Sequence, residues 1–155
     1  MPTDRPEVTF EPGAHLFPVR VYYEDTDAGG FVYHANYLRF AERARTEMLR
    51  GFGMYQPQLA AENGILFVMR RCIADFLAPA RLDDSLIVVS RLLNLRGASI
   101  DFEQSVTRER VDLVRLQVEL ACMRNGRAAR LPAPVRAALS EFSGNTWSED
   151  GKQRG

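Results

Sequence analysis

Cysteine, histidine and lysine are all scarce in this chain, and each scarcity removes a class of chemistry. The two cysteines, Cys72 and Cys122, stand in separate alternating apolar segments with no CxxC and no Cys/His spacing. The sequence therefore indicates no metal site and no disulfide, and the thiols read as buried and reduced. Lysine occurs once, at Lys152, so 19 of the 20 cations are arginine, set against 20 acids. Without a net charge, nothing draws the chain as a whole to nucleic acid or anionic lipid. Arginine nevertheless suits bidentate contacts with phosphate or carboxylate, which leaves room for a local anion site. No apolar run approaches the ~20 residues of a membrane helix. The opening MPTDRPEVTFEPGAHLF puts acids and prolines where a signal peptide needs a basic region and an apolar run, so a cytoplasmic protein is expected.

What is present suffices for one globular core. The 155 residues are 46% hydrophobic and 10% aromatic, which fits a single domain of the usual ~100–200 residues and argues against disorder. Residues 1–15, rich in proline, glycine and acids, and the polar stretch 143–155 are expected to be flexible, leaving one domain over 16–142. FPVRVYYE alternates Val19, Val21 and Tyr23 against Arg20, Tyr22 and Glu24, the pattern of a half-buried strand. From Asn36 the period changes. Tyr37, Ala41, Ala44 and Met48 recur at helical spacing, with Asn36 as N-cap and Gly51 as stop, over about four turns.

A short helix is expected within GFGMYQPQLAAENG, followed by four strands near 65–77, 86–95, 99–108 and 113–123. In the last two, apolar and polar residues alternate as in antiparallel strands with one buried face. APVRAALSEF reads as a short closing helix behind Pro132 and Pro134. The connections are too short for parallel crossovers, so the sequence predicts an α+β fold in which an antiparallel sheet wraps one long helix.

The stretch EDTDAGGFVYHANY, between the first strand and the helix, concentrates the groups able to move protons. Taken alone, Asp25 and Asp27 around Thr26 form an ordinary Asx-type turn. His34 fits a helix cap as well as it fits chemistry. On the helical wheel Arg45 falls inside the apolar arc, where a charge needs a partner. Glu42, three residues earlier, offers one, either in a partly buried ion pair that fixes the helix or a subunit contact, or with a direct catalytic part.

The order of elements is that of the hotdog fold. The loop with Asp27, Gly30, Val32 and Tyr33 resembles the D-x-x-G-x-V-Y/W loop of the 4-hydroxybenzoyl-CoA thioesterase family. The longer run VYYEDTDAGGFVYHANYLRFAERARTEMLR, together with FLAPARLDD and with Arg96, Gly97 and Ser99, is similar to its Tol-Pal-associated, YbgC-type branch. The resemblance spans roughly residues 18–142. It implies hydrolysis of an acyl-CoA thioester with no metal or organic cofactor, by Asp27 acting as nucleophile or general base.

On that reading, Gly29 and Gly30 let backbone approach the substrate, and amides around Val32, Tyr33 and His34 polarise the carbonyl. His34 has a secondary catalytic role. Arg96, Arg70, Arg71, Arg127 and Arg130 are the candidates for the coenzyme A phosphates. The resemblance also implies a homodimer, often paired again into a homotetramer, with sites between subunits. Two rival readings on the same fold are a hydratase/dehydratase, whose D-x-N-P-x-H loop is not matched here, and a non-catalytic module binding acyl-CoA or an acyl carrier protein.

Overall fold

The computed structural model describes residues 9–143, 146–147 and 153–154. Strands β1 (Thr9–Glu11) and β2 (Ala14–Arg20) are followed by a 3-10 turn, Tyr23–Asp25, and the long helix α1 (His34–Gly51). Helix α2 (Gln56–Asn63) precedes β3 (Leu66–Phe76), β4 (Ser85–Leu95), β5 (Ser99–Arg108) and β6 (Val111–Arg124). The two-residue strand β7 (Arg127–Ala128), helix α3 (Ala133–Ser143) and a small pair, β8 (Thr146–Trp147) with β9 (Gln153–Arg154), complete the order. Every pairing is antiparallel, and the large sheet runs β1-β2-β4-β5-β6-β3, with β7 on the end of β6.

This is the expected hotdog arrangement. Tyr37, Phe40, Ala41, Ala44 and Met48 turn one face of α1 to the sheet and are all but fully buried. They pack in one cluster with inward residues such as Leu86, Val88, Phe102, Val106 and Leu116. Each large side chain so buried contributes about 1.5–3 kcal/mol. Register shifts between Met69 and Arg71 and between Leu92 and Asn94 mark bulges, which increase the local twist that curls the strands around the helix.

Three expectations need correction. The first strand ends at Arg20, not at Glu24, because the Tyr22 amide donates to the Asp25 carboxylate (2.9 Å) and folds the next residues into the 3-10 turn. The stretch 1–15 is not uniformly loose: Thr9–Glu11 pairs with residues 14–16, and His15 is fully buried. Asn36 is not the N-cap, since the helix starts two residues earlier and Asn36 donates from Nδ2 to the Asp25 carbonyl (2.8 Å). Of the expected tail, Ser143 closes α3 and most of the remainder lies outside the described residues.

Strand β3 forms one edge of the sheet, with β6 on one side and, among the described residues, no strand on the other. Leu66, Val68, Met69, Ile73 and Phe76 are 42–57% exposed along it. An eleven-residue edge with apolar side chains on both faces is a surface that proteins normally cover.

Candidate active site

The Asp27 loop is a compact, self-bonded turn. Its backbone closes through Asp27 N–H to the Phe31 carbonyl (2.8 Å) and Gly30 N–H to the Asp27 carbonyl (3.1 Å). Oδ1 of Asp27 accepts from the amides of Gly29 (2.9 Å) and Phe31 (3.2 Å). Oδ2 receives no hydrogen bond among the described residues, and the side chain is exposed. Gly30 has φ +81°, a conformation that favours glycine, whereas at Gly29 space decides: a Cβ there would lie 3.3 Å from Asp27 Oδ1.

Segment 79–84 supports this loop from behind. The Val32 amide donates to the Ala80 carbonyl (2.9 Å), and the Ala80 amide donates to the buried hydroxyl of Tyr37 (2.9 Å). Burial raises the Tyr37 phenol above its ordinary pKa, with the Ala80 hydrogen bond pulling the other way. Phe31 and Arg81 form an isolated bridge, and the Arg81 guanidinium lies 5.1 Å over the Phe31 ring. Within the same turn, burial works to raise the Asp84 carboxyl, but hydrogen bonds from the Arg81 amide and the Arg108 guanidinium outweigh it and hold its pKa below normal.

The proposed oxyanion donors are narrower than the sequence suggests. The amide of Val32 is spent on Ala80 and that of Tyr33 on the Asp25 carbonyl (3.0 Å). Gly29 and Gly30 donate within the loop. The amides of His34 and Ala35, the first two residues of α1, have no carbonyl one turn back within the helix. The His34 ring is exposed, 4.3 Å from that of Tyr33 and 6.4 Å from that of Phe76.

Glu42 and Arg45 do not form the expected ion pair. Arg45 is buried and donates to Gln104 Oε1 (2.7 Å), while Gln104 Nε2 donates to the Ala41 carbonyl (3.0 Å) and Ser90 Oγ (2.9 Å). Glu42 stays exposed. Burial lowers the Arg45 pKa, and the field of Glu42 opposes that shift without a contact. Sequence reasoning missed Gln104, whose polar side chain on the inward face of β5 was the available signal.

The candidate phosphate arginines are spread along the sheet, with Arg70 and Arg71 in the middle of β3, Arg96 just after β4, and Arg127 and Arg130 beyond the end of β6. Arg96 pairs with Asp101 (2.9 Å) and Arg70 with Glu119. Arg71 lines a cavity of about 310 Å³ beside Arg96, Asp101 and Glu119. Arg127 sits on β7, past the Leu66 end of β3, and Arg130 follows shortly after it. The loop abuts the Phe76 end, where Phe76 meets Tyr37 and His34. Eleven strand residues separate the two ends by about 33 Å. Among the described residues no cluster of three or more His, Cys, Asp and Glu could hold a metal, and no helix is long and apolar enough to cross a membrane.

The profile of the thioesterase-like superfamily matches residues 21–139. The chain belongs to that superfamily. Among members similar to it is the acyl-CoA thioesterase YbgC of Haemophilus influenzae, 46% identical over 125 residues, covering 79% of this chain and 92% of the relative. The acyl-CoA thioester hydrolase YbgC of Escherichia coli O157:H7 is 48% identical over 108 residues, covering 69% and 80%. The crystal structure of a probable thioesterase from Bartonella henselae superposes with a TM-score of 0.74 at 40% identity, over 77% of this chain and 99% of that one. A 1,4-dihydroxy-2-naphthoyl-CoA thioesterase from Synechocystis, at 22% identity and TM-score 0.78 over 83% and 97%, shares the fold. The superfamily match begins at Val21 and so takes in the Asp27 loop, α1 and the strands β3 to β6.

Proposed function

We propose that the chain hydrolyses acyl-coenzyme A to the free acid and coenzyme A, with Asp27 as the reacting carboxylate. The observation that carries the assignment is the division of labour between its oxygens. Two amides hold Oδ1, while Oδ2 accepts no hydrogen bond among the described residues and the side chain is exposed, in the loop that leads into α1. In one course Oδ2 attacks the thioester carbonyl, the C–S bond breaks, coenzyme A leaves as thiolate and takes a proton, and water hydrolyses the mixed anhydride. In the other, Oδ2 takes a proton from water as that water attacks, and the tetrahedral adduct collapses with cleavage of the C–S bond, coenzyme A leaving as thiolate and taking that proton. In both, the His34 and Ala35 amides face the developing oxyanion.

The proposal extends to assembly and setting. The open β3 edge supports a homodimer joined strand to strand, with pairing into a homotetramer as the further step. If two β3 strands pair antiparallel, the Leu66 end of one copy is carried toward the Phe76 end of the other. Arg127, past the Leu66 end in its own chain, is then carried toward the partner's loop, which supports a phosphate site built from two chains. The two separate free thiols support a cytoplasmic setting. Association with the Tol-Pal system rests on the similarity to YbgC-type relatives. Acyl carrier protein thioesters belong in the substrate panel beside acyl-CoA.

The test is thiol release across a panel of aliphatic and aromatic acyl-CoAs and acyl carrier protein thioesters, with Asp27→Asn and Glu42→Gln run in parallel. Hydrolysis lost in Asp27→Asn and kept in Glu42→Gln, each assayed at a protein concentration where its subunits are associated, is the expected result. The opposite pattern, in variants that remain folded and assembled, transfers the role to Glu42. Binding without thiol release would mark a carrier module, and enoyl absorbance a dehydratase.

A further inference from the structure

Arg45 is a buried cation whose surroundings in one chain do not answer its charge. A guanidinium has five N–H donors. The contact described for it goes to a neutral amide, Gln104, whose own Nε2 is committed to Ala41 and Ser90. Burying a cation without a counter-charge costs more than a single neutral hydrogen bond returns. Arg45 lines a cavity of about 250 Å³ with Glu42, Thr46, Gln56, Phe67 and Met69, between the flank of α1 and the inner face of β3. Glu42 shares that flank, is exposed, and makes no ion pair with Arg45.

We propose that a second copy of this chain covers this flank and that its Glu42 pairs with Arg45, while the first copy's Glu42 pairs with the second copy's Arg45. The inference rests on the two-subunit reading above and specifies its charge pattern. An acid followed three residues later by a base is self-complementary about a twofold axis crossing the helix, because each copy meets the other in reversed order. The same flank adjoins the exposed Met69 and the unpaired β3 edge, so one approach covers apolar surface, edge and charges together. A small anion in the cavity would meet the charge of Glu42 at its mouth. A second copy supplies the carboxylate and accepts that of Glu42 in return.

Sedimentation velocity over a concentration series tests this on four chains: wild type, Glu42→Gln, Glu42→Arg and Glu42→Arg/Arg45→Gln. Circular dichroism confirms that each is folded. The wild type is expected to be dimeric or larger. Glu42→Arg sets two arginines against each other at both contacts and is expected to weaken subunit association about 100-fold or more, with Glu42→Gln in between. Removing the opposing cation in Glu42→Arg/Arg45→Gln is expected to restore much of the association. Wild-type association in Glu42→Arg, or a double variant as dissociated as the single, overturns the pair and leaves the two-subunit reading standing. A monomeric wild type overturns both.

Discussion

The two carboxylate oxygens of Asp27 are not equivalent, because one is occupied and, among the described residues, the other is not. Two amides donate to Oδ1, so an asparagine at this position must place its carbonyl oxygen there and its NH2 where Oδ2 stood. Asp27→Asn therefore replaces an acceptor with a donor at the reacting position. Thiol release is expected to fall about 10²–10⁴-fold, with thermal unfolding close to that of the wild type. Gly30 sets up the same geometry from the backbone, at φ +81°. Gly30→Ala should cost about 1–2 kcal/mol for the left-handed conformation. It should also reduce turnover more than stability alone predicts, because the Phe31 amide that holds Oδ1 follows directly. Unfolding and thiol-release measurements on the same preparation separate the two effects.

Among the elements, α1 does more than fill the sheet. Its first turn reaches back to the loop through Asn36 and the Asp25 carbonyl, and its next residue, Tyr37, holds the Ala80 amide whose carbonyl in turn accepts from Val32. Tyr37→Phe leaves the Ala80 N–H buried without that acceptor. Its expected cost is about 1–3 kcal/mol, together with a lower kcat from a loosened Asp27 loop, read as a fall in Tm and in single-turnover rate. The local patterns of these elements were legible: alternation marked β5 and β6, strand-like segments stood where β3 and β4 form, and helical spacing located α1. What escaped were links between distant residues. Asn36 reads locally as a cap, yet its partner is Asp25. Arg45 reads as needing Glu42, yet it meets Gln104, 59 residues on. The charges opposite Arg96 and Arg70 depend on strand register, which alternation within one strand does not supply.

At the scale of the whole molecule, the N-terminal hairpin stores a pH dependence that composition concealed. The proline and glycine around residue 12 suggest a loose end, but His15 lies fully buried against Phe10, ring centroids 4.9 Å apart, with neither ring nitrogen hydrogen-bonded among the described residues. Burial lowers its pKa from 6.5 to about 4. Between those values the unfolded chain takes up a proton that the folded chain refuses. The stability contribution is therefore complete above pH 6.5 and is lost as pH falls toward 4, by on the order of 3 kcal/mol. Denaturant unfolding at pH 7 and pH 4.5 should show this loss in the wild type and a smaller one in His15→Leu. The sheet order has a consequence for synthesis. The strands made first, β1 to β3, lie toward its two edges, while β5 and β6, made later, lie between them. On the ribosome, β2 waits for β4 and β3 for β6, and the turn bearing Asp27 waits for Ala80 and Arg81 to anchor it. A nascent chain stopped before Val111 carries the aspartate without the completed sheet behind it, so a truncated product is expected to expose sticky strands and lack an organised Asp27 loop.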